Sequence, residues 1–212
     1  GSGASVISAS AKNIILSGGW DKTFTTQSGF TTIDGQTART GISSGYLVNL
    51  TIDRFRIINS RPGLRTGSSI VTINQNNSTI SNNSASNGAG VYTYNGSITI
   101  NNSTISNNTA VSKGGGINFG GGNLIINNST IVSNSAQQGG GIYRYQYVYD
   151  PIYIYNTILA NNQTTTNGPD CWAPDLFGHK NFISKNNIYG NTQGCAIWSF
   201  GGDLVTNPQI ST

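Results

Sequence analysis

Short groups of alternating apolar and polar residues organise this chain. Ile98-x-Ile100 and Ser103-x-Ile105 carry a period of two, the spacing that sends successive side chains to opposite faces of a strand, and no stripe of period 3.6 is long enough for a helix. The groups recur. "STISNNSA" (Ser78 to Ala85), "STISNNTA" (Ser103 to Ala110), "STIVSNSA" (Ser129 to Ala136) and "NTILANNQ" (Asn156 to Gln163) follow one another at spacings of 25, 26 and 27 residues. "GAGV" (Gly88 to Val91) and two copies of "GGGI" (Gly114 to Ile117, Gly139 to Ile142) keep step with them, as do "SITI", "NLII" and "PIYI". Each repeat therefore predicts three short strands separated by turns.

A propeller blade needs four strands in roughly 40 residues, whereas about 25 residues with three strands match one coil of a parallel β-helix. The prediction is an all-β, single-stranded solenoid of about seven to eight coils. One domain is expected over residues 1–212, with a cap and first coil in 1–30, coils in 31–200 and a closing or exit segment in 201–212. Stacked coils bring equivalent residues into columns. Ile57, Ile80, Ile105, Ile131 and Ile158 are expected in one inward column, Val91, Ile117 and Ile142 in a second, and Ile73, Ile100, Ile126 and Ile154 in a third. The glycines mark corners where stacked turns demand small residues with unrestricted dihedrals. Asparagine suits the other corners, because it tolerates left-handed geometry and can hydrogen-bond its counterpart in the next coil.

Composition supports this picture. Only 8% of residues are charged, there is no Met, and Gly alone contributes 28 of 212 residues. Good helix formers are scarce, while β-branched and turn-forming residues abound. The net charge of +4 arises from 11 basic and 7 acidic side chains, with Arg54, Arg56, Arg61 and Arg65 clustered. That is too few cations for a nucleic-acid binder. No apolar run approaches the roughly 20 residues needed to span a bilayer, and no leader or anchor is recognisable. Export and attachment are therefore expected to depend on segments outside this sequence.

The pairing of "GGGI" with Ile-x-x-Asn-x-Ala, as in Ile105, Asn108 and Ala110, resembles the paired repeats of polymorphic outer-membrane protein passengers. "LSGGWD" (Leu16 to Asp21), "TIDGQ" (Thr32 to Gln36), "GPDC" (Gly168 to Cys171), Gly194-Cys195 and Gly202 to Pro208 are similar to motifs of secreted bacterial β-helix proteins that carry a separate surface anchor. The resemblance implies a right-handed parallel β-helix in an extracellular or cell-surface protein, of a kind that serves as passenger or adhesin.

Candidate chemistry is sparse. All seven acids are aspartates: Asp21, Asp34, Asp53, Asp150, Asp170, Asp175 and Asp203. Glycoside cleavage needs two carboxylates facing one cleft, and calcium-dependent elimination needs several, yet the central columns contain no acid. Asp170 and Asp175, flanking Trp172 and followed by the lone His179, are the catalytic or metal candidates; ordering a loop near the cysteines is their ordinary alternative. Cys171 and Cys195 lie about one coil apart, an offset that suits a disulfide, with two stacked thiols as the alternative. Thr79, Thr104, Thr130 and Thr157 are expected to form an outward column that sheet propensity explains without ice binding.

The aromatic residues supply the binding candidate. Tyr143, Tyr145, Tyr147 and Tyr149 alternate, Tyr153 and Tyr155 follow, and Tyr92 and Tyr94 occupy the places of the first two rings two coils earlier. Period two puts these rings on an outer face, with Arg144 nearby, where they can stack on sugars or anchor a protein. The expected function is a non-catalytic surface, adhesion or stalk module. It is expected to be monomeric, to need no cofactor or metal, and to engage a polysaccharide or surface protein. The alternative is a carbohydrate-active enzyme using Asp170, Asp175, His179 and Arg144.

Overall fold

A computed structural model of the chain describes residues 4–10, 12–74, 78–145, 150–173 and 182–206. Up to Ile188–Tyr189 the chain visits three long sheets in rotation, adding one strand to each per coil; it then passes directly to the second and third sheets. Among the described residues sheet one has seven strands, from Ser5–Ala9 to Cys171–Trp172; sheet two has eight, from Asn13–Ser17 to Ile197–Ser199; and sheet three has eight, from Thr31–Asp34 to Leu204–Val205. Pairing is parallel and in register, as in Ile98↔Leu124 and Ile105↔Ile131. The result is a parallel β-helix.

Period two along each strand sends every second side chain into the tube. On sheet one Ile42, Leu64, Val91, Ile117 and Ile142 stack in one buried column. On sheet two the column is Ile52, Ile73, Ile100, Ile126 and Ile154. On sheet three Ile57, Ile80, Ile105 and Ile131 stack, and the next member is Leu159, not Ile158. All belong to one continuous core.

The shift to Leu159 has a local cause. Asn156 takes a left-handed backbone (φ 49°) beneath Asn128 (φ 48°), whose N–H donates to the Tyr155 carbonyl. Thr157 thereby falls in the corner position of Ser129, 28 residues earlier, and accepts its N–H. Ile158 then faces outward opposite Thr130. Of the four threonines expected to face outward in one column, Thr79, Thr104 and Thr130 do so.

A fourth, four-stranded sheet adds to the three strands expected per repeat in the central coils: Ser84–Asn87, Thr109–Lys113, Ser135–Gln138 and Gln163–Asn167. Apart from three alanines and the exposed Val111, the residues of its strands are polar. Ala85, Ala110 and Ala136 pack with Ala89 into a small second core beneath it, so its pairing rests on close contact between small residues.

The asparagine pairs at the corners divide two tasks. In Asn82-Asn83, Asn107-Asn108 and Asn161-Asn162 the first residue has positive φ (55°, 55° and 54°) and turns the chain. The second points inward and joins a ladder. Asn83 Nδ2 donates to Asn108 Oδ1 (2.9 Å), Asn108 to Asn134 (2.9 Å) and Asn134 to Asn162 (3.0 Å). Each of these oxygens also accepts the backbone N–H of the asparagine one coil earlier, and each Nδ2 also donates to a carbonyl: Ile57 for Asn83, Ile80 for Asn108, Ile105 for Asn134 and Ile131 for Asn162. The buried corner is thus fully paired.

The two roles respond differently to one substitution. Asn128→Gly at a left-handed, exposed corner should change stability by less than about 0.5 kcal/mol. Asn134→Gly strips the ladder of an acceptor and two donors and should cost roughly 3 kcal/mol or more. Urea midpoints check this; similar losses at both positions would contradict the division.

Candidate functional site

Outward positions on sheet one form columns as regular as those inside. Ser43, Arg65, Tyr92, Asn118, Tyr143 and Trp172 succeed one another in register. In the next position outward along the strands the succession is Gly67, Tyr94, Gly120 and Tyr145, fixed by the N–H of each bonding the carbonyl one rung back. Glycines open gaps in this second column: Tyr94 stands up between Gly67 and Gly120, and Tyr145 follows Gly120. Tyr46, at the corner ahead of Gly67, is 75% exposed and Tyr94 is 66% exposed.

The arrangement leaves an open depression of about 420 Å³, bounded by Tyr46, Tyr92, Tyr94, Arg65 and the hydroxyl-bearing Ser5, Thr40 and Ser43. A second depression of about 370 Å³ adjoins it across Arg65 and Tyr92 and is lined further by Arg61, Pro62, Ser86 and Asn87. The Arg65 guanidinium carbon lies 5.9 Å from the Tyr92 ring centroid, a cation–π geometry. No carboxylate lines either depression.

The expected aromatic face is divided between two sheets. Tyr143 points outward but is only 4% exposed. The Tyr145 ring meets it edge-on at 5.5 Å, and the Lys113 ammonium lies 4.9 Å from both centroids. Arg144 takes the inward phase of its strand, opposite Phe119, and is 2% exposed; its Nε donates to the Asp150 carbonyl. Tyr153 and Tyr155 stand on sheet two and stack on each other at 6.4 Å. Tyr147, Tyr149, Asp175 and His179 lie outside the described residues. Of the tyrosines singled out from sequence, Tyr92 and Tyr94 line the larger depression. Tyr46, Arg61 and Arg65 were not assigned to it, although aligning Gly63-Leu64-Arg65-Thr66 with Gly90-Val91-Tyr92-Thr93 sets Arg65 directly before Tyr92.

Asp170 is buried and ends the asparagine ladder. It stands where preceding coils place Gly90, Gly116 and Gly141, as the succession of backbone bonds to Ile117 and Ile142 shows. Its Oδ1 accepts both the N–H and the Nδ2 of Asn162, and its Oδ2 accepts the N–H of Asn191. Burial pushes this carboxyl above its ordinary value, while the surrounding N–H donors oppose the rise. A second ladder ends the same way. Ser103, Ser129, Thr157 and Asn187 pass backbone N–H bonds coil to coil, and Asn187 donates through its N–H and Nδ2 to Asp203 Oδ1. Both terminal residues are acceptors only, which is what a last rung requires.

Cys171 and Cys195 form a disulfide with Cα atoms 5.3 Å apart, tying the last sheet-one strand to the coil beyond. Among the described residues no group of three or more His, Cys, Asp or Glu side chains is placed to hold a metal ion.

Residues 4–210 match the family described as "Right handed beta helix region", and the chain belongs to that family. No curated protein and no solved structure matches the chain. Membership is consistent with surface or secreted modules and with carbohydrate-active enzymes.

The native Asp170 carboxyl binds its proton more tightly than the unfolded one does. Stability from this site is therefore greatest below about pH 4 and declines as pH rises through the raised native value. Asp170→Asn cannot ionise and lacks that decline. Urea titrations of both proteins at several values above about pH 4 should show the stability difference shifting toward the variant; a constant difference would contradict the assignment.

Proposed function

We propose that this β-helix is an exported, non-catalytic module that binds a polysaccharide along the outer face of sheet one. The observation that carries the reading is the larger depression, where the rings of Tyr46, Tyr92 and Tyr94 converge with Arg65 and several hydroxyls. A sugar ring presents flat C–H faces and a rim of hydroxyls. Aromatic rings cover the former, and guanidinium and hydroxyl groups pair with the latter. Rungs about 4.8 Å apart put Tyr94 and Tyr145, with Gly120 between them, roughly 10 Å apart along the axis. An extended chain laid parallel to the solenoid meets both.

Export is supported by the Cys171–Cys195 disulfide, since such bonds persist in oxidising compartments. The non-catalytic reading is supported by Asp170, whose oxygens are committed to the ladder. Cleavage of a glycosidic bond needs carboxylates turned toward the bound sugar.

Calorimetric titration with a panel of soluble neutral and acidic polysaccharides tests the reading. Tyr92→Ala and Tyr94→Ala are each expected to weaken binding about tenfold or more, while Tyr153→Ala on sheet two leaves it unchanged. Binding that survives both groove substitutions, or falls equally with Tyr153→Ala, would place the ligand elsewhere.

A further inference from the structure

We infer that the polysaccharide held in this groove is acidic, with its anionic groups paired to Arg61 and Arg65; the inference rests on the groove being a polysaccharide site. Both arginines are exposed, and both line the smaller depression together with Tyr92. Arg65 is held in place by register, since it pairs with Tyr92 across one rung and its guanidinium lies over that ring. Arg61 approaches from the corner that precedes the Leu64–Thr66 strand.

Neither guanidinium has a carboxylate partner among the described residues. The ion pair present there joins Arg54 to Asp53 at 3.8 Å, outside both depressions. Two like charges on one concave wall repel each other, and a bound anion between them relieves that repulsion. A guanidinium presents a planar fork of N–H donors that matches a carboxylate or sulfate through two parallel hydrogen bonds. The positive potential continues along the solenoid axis. Asn87, which lines the smaller depression, pairs with Lys113 of the next coil, whose ammonium lies over Tyr143 and Tyr145. A chain of sugars running along these rungs meets rings for its faces and cations for its acidic substituents. A neutral polymer would leave both guanidiniums without an anionic partner.

Titration of the full chain with alginate, dextran sulfate and uncharged dextran, at low and at physiological ionic strength, tests this. At least one acidic polymer should bind about tenfold or more tightly than dextran, more tightly at low salt. Tighter binding of alginate assigns carboxylate as the recognised group; tighter binding of dextran sulfate assigns sulfate. Arg61→Gln/Arg65→Gln should abolish the preference. Lys22→Gln/Arg56→Gln removes the same charge from exposed positions outside both depressions and should preserve it. Dextran binding as tightly as the acidic polymers, with no effect of the arginine pair, would overturn the acidic preference and leave the polysaccharide reading standing. Binding to none of these or the neutral and acidic panel polymers would overturn both. Equal losses in the two double variants, with duplex DNA bound as tightly as alginate or dextran sulfate, would reduce the effect to net charge and overturn the inference.

Discussion

Each coil of this protein must turn its corners without leaving buried backbone N–H groups unpaired, and the rest of the structure depends on how that is done. Strands pair with the coils above and below, so their amides are satisfied by the sheets. The corners have no such partner by default. The inward asparagines supply one: a carboxamide accepts the backbone N–H and the side-chain N–H of its predecessor, then donates both to its successor and to a carbonyl of the preceding coil. Because four successive coils repeat the device at one-rung spacing, a break in the ladder strands donors and acceptors in two coils at once.

The ladder also dictates where acids can sit inside the solenoid. An internal member must both give and receive, which asparagine can do and an ionised aspartate cannot. At the last rung only acceptance is needed, and there both ladders carry an aspartate, Asp170 in one and Asp203 in the other. Asp170 reaches its place from the glycine corner because the equivalent stretch after the Ile188–Tyr189 strand offers Gly190, whose absent side chain leaves room for the carboxylate. What reads along the chain as an acid beside a cysteine and a tryptophan is a terminus for the hydrogen-bonded column.

The same stacking that orders the core arranges the surface. A residue facing outward in one coil has a neighbour at the same position one rung away, so the exposed chemistry runs in lines parallel to the axis. On sheet one those lines carry Arg65, Tyr92 and Tyr143 beside Gly67, Tyr94, Gly120 and Tyr145. Glycine in such a column contributes a gap, and the gaps separate the raised rings. Gly116 and its counterparts show why the corner column tolerates nothing larger before its last member, Asp170: a Cβ on Gly116 would come within 2.6 Å of the Gly141 carbonyl oxygen. An elongated ligand suits this surface better than a compact one, because recognition elements recur along one direction.

The sequence by itself determined the coil. Period-two alternation in strands of three to five residues and a spacing of 25 to 27 residues specify three faces, the glycine corners and most inward columns, because those features are local and repeat. It did not determine the register where the repeat lengthens. Left-handed Asn156 set Leu159 rather than Ile158 inward, and only pairing with the Thr130–Val132 strand could decide that. Nor did alternation distinguish an outward ring that stays open, such as Tyr94, from one that is covered, such as Tyr143. Phase says which way a side chain points; the packing around it, with Lys113 of the preceding coil and Tyr145 of its own on Tyr143 but Gly67 and Gly120 of the adjoining coils beside Tyr94, decides whether solvent reaches it.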